Sequence, residues 1–393
     1  MREVVIVSGM RTPIGDFLGS LKDFVATDLG TIALKAAISK AGIEPSQVEE
    51  VVTGHVYQAG CKGNPSRQVT LGAGCPIETV SLTVNQQCAS SMRAAEIISQ
   101  QIMLGKIDIG AAVGHESMTN IPYLLLKARM GYRMGSDTIH DSMMYDAFID
   151  PFYHYHAGVT AENLVDMYKI PRQEQDEWGL MSHQRACRAI AEGKFKDEIV
   201  PVEIKTKKGA LLFDTDEHPN PNVNMESMTK LKPAFKKDGT ITAGNASAIN
   251  DGASAIILMA AEKAKELGIK PLARIVSTAS ASVDPSIMGI GVVPAVRRAL
   301  KFSGMTLDNM ELCEFNEAFA GQVIACNREL KIDPAKINVL GSGVGLGHPV
   351  GMTGARLILT LMHEMRRSKK QFGIASLCSG GGPAMATIIE ALA

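Results

Sequence analysis

Continuous apolar runs alternate along the chain with stretches of helical periodicity, the pattern of buried strands set between amphipathic helices. The chain opens on Val4-Val-Ile-Val7, which reads as a buried strand. Leu34-Lys-Ala-Ala-Ile-Ser-Lys-Ala-Gly-Ile43 then places apolar residues at helical spacing and stops at Gly42. A short polar turn leads to a second strand around Val51. Much later Val296-Arg-Arg-Ala-Leu-Lys-Phe-Ser-Gly-Met305 repeats the helix and its stop, with Gly304 standing 262 positions after Gly42. The copy continues. Val84-Asn-Gln-Gln-Cys88 enters the helical pattern Ser91–Ile98, and Val344-Gly-Leu-Gly-His348 enters the pattern Thr353–Leu359. Each is followed by a strand, at Ile109–Val113 and at Gly373–Leu377. Gly252-Ala-Ser-Ala-Ile-Ile257 and Gly382-Pro-Ala-Met-Ala-Thr387 close the two series.

The expected fold class is therefore α/β, built from two related layers. One half covers residues 1–120 plus 247–270 and the other covers 271–393. Residues 121–246 have no copy and read as an insertion in the first half, carrying Tyr153-His-Tyr-His156 and His218-Pro-Asn-Pro221. Long insertions in compact folds are binding elements or structural elaborations.

Composition narrows the function classes. The 393 residues hold 40 Lys+Arg against 41 Asp+Glu, so no global field draws the chain to nucleic acid or to an acidic membrane. No apolar run approaches the ~18 residues of a membrane span; Ala253 to Ala261 reads as a core strand running into a helix. The seven cysteines are scattered, odd in number and not preceded by a signal-peptide pattern, which points to free thiols in a reducing, cytoplasmic setting.

The duplication brings equivalent loop tips to one crevice, near the carboxyl ends of the strands. Cys88 and His348 occupy nearly matching positions, each ending a loop before a helix. Asn316 follows the strand at 311–315, and Cys378 ends the last repeat strand before Ser379-Gly-Gly-Gly382. A helix N-terminus favours a thiolate at Cys88, and a histidine beside it can take the thiol proton. The backbone around Gly380 can approach a developing oxyanion because glycine has no side chain in the way. Cys378 supplies a second acid/base group expected to work near neutral pH. Taken one at a time, each residue has a plainer role: a cysteine as a small core residue, a glycine run as a loop. Their matched positions carry the reading. The Gly341–Gly347 run fails GxGxxG spacing, so no dinucleotide site is expected. His154 and His156 lack further ligands in pattern, so no metal is expected.

Asn85-Gln-Gln-Cys-Ala-Ser-Ser-Met92, Asn316-Glu-Ala-Phe-Ala320, Gly347-His-Pro-Val-Gly351 and Cys378-Ser-Gly-Gly-Gly382 resemble the motifs of the thiolase family, in order over essentially the whole chain. Asn64-Pro-Ser-Arg-Gln68, Glu116-Ser-Met118 and Gly244–Gly252 add to the match. The resemblance implies a thiolase fold, two βαβαβαββ halves in a five-layered αβαβα arrangement, with 121–246 as a loop domain over coenzyme A. It implies reversible Claisen condensation of two acetyl-CoA to acetoacetyl-CoA, with acyl-CoA and CoA as partners and no permanently bound cofactor. It implies Cys88 as the acylated nucleophile, His348 as its activator and Cys378 as the group that moves the α-proton. Asn316 would order a water that forms one oxyanion hole with His348, and the Cys88 and Gly380 N–H groups would form the other. His156, Ser247, Phe235, Ala318, Phe319 and Met288 would line the pantetheine and acyl path. A homo-oligomer, dimer or tetramer, is implied as well.

The chain departs from the family pattern in places. Ala157 stands where short-chain members commonly carry Met, Gly343 and Gly345 stand where Ala is frequent, and His115 is uncommon. No arginine for the nucleotide end of CoA is evident around Asn220. These positions bear on chain length and CoA contacts, and Ala157 keeps open a degradative 3-ketoacyl-CoA thiolase of broader or longer-chain range. A silent acyl-CoA-binding subunit is the alternative from another class.

Overall fold

The computed structural model describes residues 1–207 and 209–392. The first half opens with β1 (Val4–Arg11), the short β2 (Gly15–Asp16), α1 (Ala26–Ala41), β3 (Glu50–Gly54) and α2 (Pro65–Gly72). β4 (Val80–Val84), α3 (Ser90–Met103) and β5 (Ile109–Ser117) follow. The chain then leaves the sheet through β6 (Tyr123–Leu124), β7 (His140–Asp141), α4 (Ala157–Tyr168), α5 (Arg172–Ala191), the hairpin β8 (Val202–Thr206) and β9 (Gly209–Phe213), and α6 (Met225–Thr229). It returns with β10 (Asn250–Ala260) and α7 (Ala261–Glu266). The second half contains β11 (Ala273–Ser282), α8 (Val292–Ser303), β12 (Leu312–Phe315), α9 (Ala320–Leu330), α10 (Gly343–Leu346), α11 (Thr353–Ser368), β13 (Phe372–Cys378) and β14 (Pro383–Ala391).

The strands run in the order β12-β13-β14-β11-β1-β10-β5-β3-β4. Two half-sheets meet where β1 touches β11 through only Val5↔Arg274 and Ile6↔Ala273. Within each half the first three strands of the path from the junction are antiparallel and the outer pairing is parallel. The duplication is visible at residue level: α1 and α8 both stop at a glycine in the left-handed region, Gly42 at φ 69° and Gly304 at φ 70°, a conformation glycine reaches without a Cβ penalty. One element differs. Where the first half has β4, the second makes a single bridge, Cys313↔Ile337. The Phe315 N–H that a longer strand would pair is taken instead by the Asn338 side chain at 2.7 Å.

The middle layer holds α3 and α11, packed between strands of both halves in one apolar cluster that includes Ile6, Ile98, Ile256, Leu357, Leu361, Leu377 and Ile389. α1 covers the outer face of the first half-sheet, and α8 and α9 cover that of the second, giving five layers. The central helices approach closely: a Cβ on Gly354 would lie 2.5 Å from the Met92 nitrogen. The insertion is tied to β1 by Arg11, fully buried and paired with Glu198 at 2.7 Å and Asp216 at 2.6 Å. A buried guanidinium needs such partners, since without them its charge would be uncompensated. Among the described residues no helix is long and apolar enough to cross a membrane.

Candidate active site

The two central helices set the site, because the loop that enters each one carries a reactive residue to the same end of the layer. Cys88 lies in the turn before α3, and the Ala89 N–H after it donates to the Ser379 hydroxyl at 3.1 Å. That bond ties the Cys88 loop to the Ser379–Gly382 turn between β13 and β14. The backbone N–H groups of Gly380 and of Cys88 itself lie beside the Cys88 sulfur. Those donors favour a thiolate, but burial outweighs them and pushes the thiol up to about 11. The expectation of a thiolate held by a helix N-terminus is thus corrected. The turn leaves Cys88 outside the first helical residues and half-buried, so the resting sulfur is protonated and needs a base.

His348 provides one. It is buried, with its backbone N–H donating to Asn250 Oδ1 at 2.9 Å. The Thr353 hydroxyl gives its one proton to the Pro349 carbonyl at 2.8 Å and lies 2.6 Å from His348 Nδ1. The hydroxyl oxygen must therefore accept from Nδ1–H, which makes Nε2 the acceptor nitrogen. Nε2 accepts from Asn316 Nδ2 at 3.2 Å. Burial, helped by the nearby Arg356 charge, lowers the imidazole to about 3. His348 is neutral, with its lone pair on Nε2, across the physiological range.

Cys378 ends β13 and is buried. Its thiol is raised well above the ordinary value by burial first and then by the neighbouring Cys88 and Cys326. A resting acid/base near neutral pH is therefore also corrected: Cys378 can take a proton as a thiolate only once another group has removed its own. Asn316 is fully buried after β12, and its Oδ1 has no hydrogen-bond partner. That oxygen is an unused acceptor beside the imidazole, and Gly343 makes room for it, since a Cβ there would sit 2.6 Å away.

A cavity of 610 Å³ leads from outside to this cluster. Cys88, His348 and Gly380 lie on its wall, as do His156, Ser247, Phe235, Ala318, Phe319 and Met288. Cys378 and Asn316 are not wall residues; they sit behind it. His156 begins α4, accepts the Gly158 N–H on Nδ1 at 2.9 Å and stacks on Phe235 with ring centres 4.5 Å apart. Phe235 meets Phe319 edge to face at 5.8 Å. The Ser247 N–H bonds to the Ala318 carbonyl at 2.9 Å, so the returning end of the insertion is pinned to the Asn316 loop. The wall carries no Lys or Arg and is mostly apolar, which suits an uncharged arm drawn in from water. At the mouth, His218 Nδ1 lies 2.8 Å from Asp16 Oδ1.

Sequence reasoning missed several residues. Thr353 fixes the imidazole tautomer and was readable only as the first residue of a helix. Ser379 bridges the two catalytic loops, a contact between residues 290 positions apart. Phe148 lines the cavity without a motif to mark it. Among the described residues no group of three or more His, Cys, Asp or Glu could hold a metal ion.

Comparison with known proteins agrees over the full length. The thiolase N-terminal domain matches residues 4–262 and the thiolase C-terminal domain matches 269–391. A relative in Syntrophomonas wolfei, described as an acetyl-CoA acetyltransferase, is 50% identical over 397 residues, covering 100% of both chains. A solved structure of an acetyl-CoA acetyltransferase from the same organism superposes with a TM-score of 0.98 at 46% identity, covering 100% of each chain. Human mitochondrial 3-ketoacyl-CoA thiolase superposes with a TM-score of 0.97 at 42% identity, covering 100% of this chain and 99% of that one.

Proposed function

This chain belongs to the thiolase family, and from that premise we propose that it is an acetyl-CoA acetyltransferase working through an acyl-Cys88 intermediate. The observation that carries the residue roles is the meeting of a protonated Cys88 sulfur, two backbone N–H donors, a neutral imidazole and a second thiol at the end of one apolar cavity. His348 Nε2 takes the Cys88 proton as the sulfur attacks the thioester carbonyl. The oxygen that gains charge is held by the Cys88 and Gly380 N–H groups, each worth roughly 3 kcal/mol when well aimed. CoA leaves as a thiol, with the proton returned by His348.

Cys378 then removes the α-proton of the second acetyl-CoA. Its thiolate is costly at rest, so it forms as His348 Nε2 takes the Cys378 proton, and the enolate oxygen then faces the Nε2–H so formed and Asn316. The enolate carbon attacks the acyl-Cys88 carbonyl, the carbon–sulfur bond breaks to give acetoacetyl-CoA, and the Cys88 sulfur takes the proton back from His348. Attacking and leaving groups are both thiolates in the acyl-transfer step, so the exchange is nearly balanced and runs in either direction. The insertion, 121–246, is the CoA-binding lid in this reading, supported by His156 and Phe235 on the cavity wall.

Incubation with acetyl-CoA followed by peptide mass spectrometry tests the assignment. An acetyl group is expected on Cys88; a folded, reduced protein without one would be a silent subunit. Cys378→Ala is expected to acylate and to fail in condensation. Loss of acylation as well would overturn the division of roles.

A second reading has its own observation. A cavity of 340 Å³ shares Gln87, Ala157, Met288 and Gly380 with the catalytic one. Space beside the acyl group supports a 3-ketoacyl-CoA thiolase of longer range. Thiolysis of acetoacetyl-CoA against 3-ketohexanoyl-CoA separates the two readings, and preference for the longer substrate would overturn the first. We also read the enzyme as a cytoplasmic homo-oligomer. The oligomer is supported by β4, an edge strand that exposes Val80 and Leu82 and invites pairing.

A further inference from the structure

One buried titratable cluster has no part in that chemistry. His55, just after β3, and His115, on β5, pack edge to face with ring centres 4.4 Å apart. His55 Nε2 lies 3.1 Å from Glu116 Oε1, and both side chains are 1% exposed. Burial opposes the His55 cation, but the Glu116 charge and the contacts to Cys61 and Glu116 raise the ring to about 9. It is an imidazolium at neutral pH, yet its Nδ1 has no hydrogen-bond partner.

A separate cavity of 430 Å³ opens against this ring. Its wall includes His55, Tyr57, Cys61, Lys62 and the first turn of α1, so it offers two cationic side chains against one carboxylate, Asp28. Cys61 is half-buried, with its sulfur 4.0 Å from His55 Nε2 and 3.6 Å from the Tyr57 carbonyl. A thiol on a cavity wall, a cation beside it and an unused buried N–H donor are the parts of a site for an anionic, thiol-reactive molecule.

The cluster also touches both catalytic loops. Glu116 Oε2 accepts the N–H groups of Val56 and Gly351 at 3.0 Å each, and Oε1 accepts that of Tyr57 at 3.2 Å. Gly351 lies three residues after His348. Asn85, three residues before Cys88, donates to the Val56 carbonyl at 3.1 Å. Displacing His55 from Glu116 would therefore disturb the supports of the nucleophile and of its base together.

We propose that this cavity is a second thiol site, in which Cys61 forms a mixed disulfide with a small carboxylate-bearing disulfide and the adduct slows turnover through Glu116. The Cys61 sulfur, as thiolate, attacks one sulfur of R–S–S–R. One S–S bond forms, one breaks, and the departing R–S⁻ takes up the proton that Cys61 released. The imidazolium steadies the negative charge shared along the three sulfurs, while Lys62 and His55 Nδ1 receive the carboxylate.

The adduct does not depend on the acyltransferase reading; the turnover readout does, so the adduct is measured first. Cys88→Ala enzyme, which lacks the competing thiol, is treated with oxidised glutathione and mapped by peptide mass spectrometry. Cys61 is expected to be modified about tenfold faster than Cys75 or Cys187, and about tenfold faster than by uncharged 2-hydroxyethyl disulfide. His55→Asn should slow the adduct several-fold with the thiol still present. With Cys88 in place, thiolysis should fall in step with Cys61 occupancy, recover with dithiothreitol, and survive the treatment in Cys61→Ser or Cys61→Ala. Even spread over the thiols, faster reaction with the uncharged disulfide, or a full Cys61 adduct with unchanged turnover would each overturn the proposal.

Discussion

His348 and His55 are both buried beside a cysteine, yet the first is neutral and the second is a cation. His348 is pushed down to about 3 and His55 up to about 9. Burial acts on both in the same direction, against the cation, so burial is not what separates them. The partner is: His348 meets a threonine hydroxyl and an asparagine amide, whereas His55 meets a carboxylate. A neutral partner leaves a base, and an anionic partner makes a fixed cation that cannot accept a proton. The same residue pair thus gives, in the proposed reaction, a nucleophile with its activator in one place and an electrostatic fixture in the other.

The largest expected effect breaks the comparison on the cysteine side. Cys88→Ala should lower thiolysis by roughly 10⁴-fold or more and abolish the acetyl adduct, since a nucleophile acting with its base is not replaceable in part. Cys61→Ala should leave turnover within about twofold, within the range of a substitution outside catalytic contacts. Steady-state rates on both variants decide it.

The histidine side comes next. His348→Asn should cost on the order of 10³-fold, the range of a positioned general base. Because folded His348 is deprotonated above about 3, wild-type kcat/KM for thiolysis should show no acid limb near 6.5 between pH 5 and 8. A limb there would mean that the imidazole titrates at its ordinary value and that Thr353 and burial do not set its state.

The cation at His55 has a stability signature. Its folded value of about 9 lies above the ordinary 6.5, so its contribution is fully present below pH 6.5 and is lost as pH rises through 9. The size is about 3 kcal/mol. Glu116→Gln removes the cause and should flatten the urea midpoint between pH 6 and 10. An equally steep wild-type and variant profile would place the titrating group elsewhere.

Much of the fold could be read from the chain because duplication is a pattern in sequence order. Gly42 and Gly304 mark matching helix stops, and the loops of Cys88 and His348 fall before matching helices. The loss of the β4 counterpart could not be read so, because it depends on the Asn338 side chain turning back to the Phe315 N–H. Motifs pointed to the candidate catalytic residues but not to their protonation states. Cys88 stands before a helix, which argues for a thiolate, yet burial by distant segments decides otherwise. Arg356, Thr353 and Glu116 act across the layers, and the contacts that make them matter have no local signal. The same holds for His55, which meets Glu116 only because β3 and β5 are neighbours in the sheet.

Thr353 offers the smallest and sharpest test. Its hydroxyl donates to Pro349 and so can only accept from His348 Nδ1–H, which leaves the lone pair on Nε2, the nitrogen on the Asn316 side. Thr353→Val keeps the shape of the helix start and removes that acceptor. The Nδ1 proton is then unpaired in a dry site, at a cost of about 1.4 kcal/mol for a lost hydrogen bond, or about tenfold in kcat/KM. Thr353→Ser should restore most of the rate, since it returns the oxygen without the methyl. A stability effect alone would lower the midpoint of unfolding in both variants and leave the ratio of their rates unchanged. If Val and Ser were equally slow, the tautomer would be set by something other than this hydroxyl, and the contrast with His55 would rest on burial after all.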